Sequence, residues 1–175
     1  AASRVEDTQL GRVVLSLRRL RPEVVLAPYH ADRHPDHPGA SRLVTEAVFF
    51  SGLAKFIPEA APFRPRALFY YQLRFAFRPS FVVDISEVYD TKLAAIRCFR
   101  SQIERSEEHA SPLPTLVSSA LSVSSISARD EYYGAMAGVR FAEPYLVRAP
   151  VLLDDPVAFW RSLGAGEPLM YPGEE

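Results

Sequence analysis

Apolar positions recur first with the period of a helix and then in short unbroken runs, and this alternation sets the expected fold. Leu10, Val13, Val14, Leu17 and Leu20 fall at i, i+3, i+4, i+7 spacing and predict an amphipathic helix over 6–20. Arg18, Arg19 and Arg21 crowd its end, where cations suit the helix dipole, and Pro22 stops it. Val24-Val25-Leu26-Ala27, bounded by Pro22 and Pro28, reads as a short strand buried on both faces. A second helix is expected from Pro38, with Ala40, Leu43, Val44, Ala47, Val48, Phe50 and Leu53 as its apolar positions. Helix, strand, loop and helix in this order make half of a doubly wound α/β unit.

Further along, the aromatic-rich stretch 66–77 and the run Phe81-Val82-Val83-Asp84-Ile85 predict two more strands. The helix after them should turn Val88, Ala95, Ile96, Phe99 and Ile103 inward. Residues 104–109 are charged, and Pro112 and Pro114 mark a loop. Residues 116–137 read as helical despite six serines between Ser118 and Ser127, with Gly134 and Gly138 at its end. A final strand or hairpin is expected over 141–153, and a loose tail over 164–175.

Composition narrows the function classes. A chain of 175 residues suits one domain with a sizeable core. A net charge of −1 removes the usual electrostatic argument for a nucleic-acid or anionic-membrane partner. No apolar run is long enough to span a bilayer. With Cys98 as the only cysteine, no disulfide can form within the chain, which favours a reducing compartment; Cys98 itself reads as a small core residue. The chain begins without Met or a signal-like segment and reads as cut from something longer.

The chemistry is concentrated in Tyr29-His30-Ala31-Asp32-Arg33-His34-Pro35-Asp36-His37-Pro38. Three of the four histidines lie in eight residues, beside two aspartates and an arginine. The segment directly follows the first predicted strand, and ligands of open α/β sheets bind beyond the carboxyl ends of strands. Imidazole and carboxylate suit zinc or a similar divalent ion. His34 and Asp36 are two apart, close enough in a turn for the carboxylate to hold one imidazole nitrogen. The bland alternative for the same residues is a solvated turn.

The string Asp32-Arg33-His34-Pro35-Asp36-His37 resembles the second signature of the PIG-L/LmbE-like zinc-dependent de-N-acetylases, most closely their bacillithiol-pathway branch. The resemblance extends over most of residues 10–155: Val24 to Pro28 before the signature, Val83-Asp84-Ile85-Ser86 through Lys92, Ala95, Ser101 and Gln102, then Glu131 to Gly134 and Gly138 to Tyr145. It implies an α/β fold, a Rossmann-like three-layer sandwich shortened at its N-terminus. On this reading 1–175 is the C-terminal two-thirds of one domain, with the remaining α/β core in 1–106 and a helix and strand portion in 107–175.

The resemblance also implies roles. His37 matches the metal-ligating histidine, His34 the catalytic histidine that stabilises the oxyanion or protonates the leaving amine, and Asp36 the carboxylate that supports His34. Arg33, Tyr29 and Asp32 are placed on the substrate side, Arg33 facing a malate carboxylate. The expected cofactor is Zn2+ or a similar divalent metal. The substrate is a small N-acetylglucosamine conjugate, with N-acetylglucosaminyl malate first. The family's first signature supplies further metal ligands and the general base; nothing in 1–175 resembles it, and His109 stands in a charged stretch without such a motif. The metal site is therefore expected to be incomplete and this piece inactive by itself. A cytoplasmic homo-oligomer is implied, with a hexamer as one candidate. Two other readings stay open: a non-catalytic sugar- or partner-binding chain of the same fold, and a deacetylase of another glycoconjugate.

Overall fold

The computed structural model of the chain describes residues 8–99 and 123–162. The fold is α/β, a mixed sheet with flanking helices. The elements in chain order are α1 (Gln9–Leu20), β1 (Val24–Pro28), α2 (Asp36–Ser51), β2 (Ala67–Tyr71), β3 (Phe81–Asp84), α3 (Tyr89–Arg97), α4 (Val123–Ala137), β4 (Ala142–Leu146) and α5 (Pro156–Ser162), with a 3-10 turn Ser86–Val88 before α3. The strands hydrogen-bond in the order β1-β2-β4-β3. β1 and β2 are parallel, in register Val24 to Ala67 through Pro28 to Tyr71, and β2 and β4 are antiparallel. The described residues fall into two compact units, one of 8–81 with 144–150, the other of 82–99, 123–143 and 151–162.

In the first unit, α1 starts where the Thr8 side chain accepts the Gly11 N–H at 3.0 Å and ends where Arg21 adopts a left-handed conformation, φ 48°. Its buried stripe packs on α2. Val14, Leu17, Ala47 and Ile57 form the centre, with Val25, Val48, Phe50 and Phe56 around it. Each Val, Leu, Ile or Phe side chain of this kind contributes roughly 1.5–3 kcal/mol when fully buried. The stripe continues through Arg18 and not through Leu20, which is 69% exposed. Arg18 is buried because α2 ends against it. Its guanidinium donates to the carbonyls of Ser51, Ile57, Ala60 and Leu53 at 2.7–3.0 Å, and to that of Phe50 at 3.4 Å. These carbonyls lie at the end of α2 and in the turn after it; those of Phe50, Ser51, Leu53 and Ile57 also accept a backbone N–H, and the guanidinium's fork of N–H donors supplies their second hydrogen bond and the one to Ala60.

β1 is buried along one face and, on the other, only at Pro28. Val25 packs into the core and Ala27 is buried, whereas Val24 and Leu26 are exposed. It is an edge strand among the described residues, and the helices that pack on it, α1 and α2, lie on the Val25 face. The aromatic stretch after Arg66 is a strand only as far as Tyr71.

In the second unit, Ile85, Tyr89 and Phe141 are buried together, with Leu93 against them, and the Tyr89 and Phe141 rings stack at 3.5 Å. This corrects the expected inner face of α3: Val88, Ala95 and Phe99 are exposed. The helix begins at Tyr89, and packing against Ile85 and Phe141 sets its buried face through Tyr89 and Leu93. Ile103 lies outside the described residues. Cys98 is exposed, not a core residue: it caps the end of α3 and its Sγ reaches back to the Ala94 carbonyl. Asp130 of α4 is fully buried, held by Lys92 at 2.5 Å and by Arg129 at 3.0 Å; Lys92 also reaches Glu143 at 2.5 Å. The helix runs through Gly134 and stops at Gly138, whose φ of 72° favours glycine. Residues 116–122, 104–109 and 164–175 lie outside the described residues, and 151–153 form no strand.

Candidate active site

The strand-to-helix turn after β1 is built by backbone constraints. The Tyr29 N–H continues the ladder to the Tyr71 carbonyl at 3.0 Å. Pro35, with φ −60°, is pre-set for helical entry, so α2 starts at Asp36, two residues before the expected Pro38. His34 accordingly stands just ahead of the helix and His37 within its first turn. Their rings come to 5.4 Å between centroids. Asp36 lies in the same turn, where a carboxylate suits the positive end of the helix.

His34 is exposed. Its Nδ1 accepts the backbone N–H of Asp36 at 3.2 Å, while the Asp36 carboxylate stays 3.6 Å away and points to solvent. The arrangement leaves Nε2 as the protonated nitrogen of the neutral ring.

Asp32 occupies a different place from the substrate-facing one expected of it. Its carboxylate is 1% exposed. Oδ1 accepts the Arg33 N–H at 2.6 Å, Oδ2 accepts the Arg74 N–H at 3.0 Å, and His37 Nδ1 is 3.3 Å from Oδ1. The Nδ1 atom of His37 is buried; it is within reach of Asp32 without being aligned as a hydrogen bond. Burial pushes the Asp32 carboxyl up, but the N–H groups of Arg74 and Arg33 and the His37 ring together outweigh it, and its pKa lies below the ordinary value.

Arg33 is exposed beside the two histidines. The Tyr29 ring lies against His30 at 4.3 Å and Phe77 at 4.6 Å. Burial and the Arg148 charge both lower the pKa of His30. The structure therefore brings His34, Asp36, His37 and Asp32 together, leaves Arg33 exposed, and sets Tyr29 in an aromatic group. Sequence reasoning missed Arg74, Phe77 and Arg148. Arg74 acts through its backbone N–H, so its side-chain type carries no signal, and Arg148 lies more than a hundred residues beyond the motif.

Among the described residues, no three His, Cys, Asp or Glu side chains stand together in a way that could hold a metal ion. The residues present fit one ligand: an imidazole with one nitrogen against a buried carboxylate and the other available. Nor is any helix of the described residues long and apolar enough to cross a membrane.

No protein-family model matches the chain. The diacetylchitobiose deacetylase of Thermococcus kodakarensis is 34% identical over 139 residues, 75% of this chain and 47% of that protein. The chain thus spans about half the length of the curated relative it matches. A conserved protein of Thermus thermophilus, known as a crystal structure, is 41% identical, with a TM-score of 0.68 over 83% of this chain and 60% of that one. The N,N'-diacetylchitobiose deacetylase of Pyrococcus horikoshii, solved with an inhibitor, is 25% identical, with a TM-score of 0.59 over 79% and 50% respectively.

Proposed function

We propose that this chain belongs to the PIG-L/LmbE-like de-N-acetylases and carries one half of the active site of an enzyme that removes acetyl from an N-acetylglucosamine-type substrate. The observation that carries this reading is the convergence of His34 and His37 at the start of α2, beyond the carboxyl end of β1, within the string that resembles the family signature. Similarity to two diacetylchitobiose deacetylases supports the reaction class.

The reaction is hydrolysis of an amide. Water adds to the acetyl carbonyl carbon, the carbon–nitrogen bond breaks, and acetate and a free amine leave, the amine nitrogen gaining one proton. His34 presents an Nε2–H that can donate to the developing oxyanion or to the departing nitrogen, a role worth about 10²–10⁴-fold in rate. The Asp36 backbone N–H holds its ring in that tautomer. His37 would hold a divalent metal through Nε2, and such a metal supplies Lewis acidity when bound. The exposed guanidinium of Arg33 is free to meet an anionic substituent on the sugar. That favours N-acetylglucosaminyl malate over an uncharged disaccharide as substrate.

The test is acetate release by the full-length protein from N-acetylglucosaminyl malate and from diacetylchitobiose. Release that disappears in His34→Ala is the expected result. No release from either compound, or release undiminished in His34→Ala, overturns the reading.

A further inference from the structure

We propose that Asp32 is a positioning residue for His37, holding the ring with Nδ1–H turned toward its buried carboxylate and Nε2 outward as the nitrogen that ligates a divalent cation. The ligating role rests on the function proposed above; the orientation rests on geometry alone.

Asp32 lies two positions ahead of the His-Pro-Asp-His core, and its type suits a solvated turn. Its surroundings do not. The carboxylate is 1% exposed, and both oxygens are occupied by backbone N–H groups, Arg33 on Oδ1 and Arg74 on Oδ2. These two bonds fix it against rotation. One comes from the adjacent residue, the other from the segment beyond β2, 42 positions along. The carboxylate so fixed faces His37 Nδ1 at 3.3 Å, and that nitrogen is buried without another hydrogen-bond partner. A bare lone pair on Nδ1 would face a carboxylate oxygen across that gap, which is repulsive. A proton there is attracted, and a small rotation of the ring aligns it. In the neutral ring the other nitrogen then carries the lone pair. A carboxylate behind an imidazole both fixes the tautomer and raises the basicity of the ligating nitrogen, and removing such a partner typically weakens metal binding about 10–100-fold. Asp36, by contrast, points to solvent and cannot serve His37 in this way.

Nitrogen NMR of histidine-labelled full-length protein, metal-free and with the rings neutral, reads the tautomer directly. The expected result is Nδ1–H for His37 in the wild type and a mixture in Asp32→Asn. Titration with zinc alone should show binding about 10–100-fold weaker in Asp32→Asn. Turnover should fall through kcat with KM within about twofold, since a residue behind the ligand does not touch substrate. An Nε2–H tautomer in the wild type, no zinc binding by the wild type, or equal zinc affinity in the two proteins overturns the proposal. The wild-type tautomer decides the matter even if Asp32→Asn does not fold. A protein that shows the tautomer and the zinc difference but releases no acetate overturns the deacetylase reading and leaves this one standing.

Discussion

His34 takes its hydrogen bond from the Asp36 main chain, not from the Asp36 side chain. The two sources differ in what mutation can remove. His34→Ala should lower kcat by about 10²–10⁴-fold with little change in KM. Asp36→Ala leaves the backbone N–H in place and should lower kcat far less. Steady-state kinetics of both variants check this; equal losses would show that the carboxylate closes on the ring during turnover.

Arg33 separates the two substrates. A charge-assisted hydrogen bond is worth about 1.5–3 kcal/mol, so Arg33→Ala should raise KM for N-acetylglucosaminyl malate by roughly 10–100-fold. The same change should leave diacetylchitobiose hydrolysis nearly as it was. A parallel loss on both substrates would remove the argument for an anionic substituent.

Asp32 should make stability pH-dependent. Its folded pKa is lowered, so its contribution is present above the unfolded value of about 3.9 and is lost as pH falls through the folded value. Wild-type stability against urea should therefore drop more steeply than that of Asp32→Asn as pH falls from about 5 toward 2. Parallel curves would contradict the assignment.

Gly134 and Gly39 should respond oppositely to alanine. A Cβ on Gly134 would lie 2.5 Å from the Arg140 carbonyl oxygen, which is backbone and cannot swing aside. Gly134→Ala should destabilise by about 1–3 kcal/mol despite the better helix propensity. A Cβ on Gly39 meets nothing within 4 Å, so Gly39→Ala in α2 should stabilise by about 0.4–1 kcal/mol. Thermal melting of the two variants gives the signs.

Much of the site was legible because it is local. The run 24–28 is apolar and β-branched enough to read as a strand, and the residues after it are chemically unlike the rest of the chain. Where the sequence misled, a partner distant in sequence decided the outcome. Asp32 reads as a solvent- or substrate-facing acid until the Arg74 N–H buries it. Arg18 reads as a dipole cation until the end of α2 surrounds it. Val24 and Leu26 read as core, but burial on a second face depends on what packs there, which periodicity within one strand cannot report. In α3 the apolar positions were legible, but which of them faces inward is decided by Phe141, which lies far along the chain and takes Tyr89 and Leu93 against it.

Buried Arg18→Met should destabilise by about 1–3 kcal/mol, since it removes charge-assisted hydrogen bonds to several carbonyls and leaves that of Ala60 without its donor, and a urea midpoint within error of the wild type would sink that expectation. The effect need not stop at stability. α2 is 16 residues long, about 24 Å at 1.5 Å per residue, with the histidines at one end and Arg18 bolted to the other. A helix acts as a lever over that length. Loosening that end removes one of the constraints on the helix axis, and misplacement of a reacting group by about 1 Å can lose about 100-fold in rate. Arg18 thus anchors the end of α2 opposite His34 and His37, and under the proposed function its loss should lower acetate release in protein that thermal melting shows is still folded.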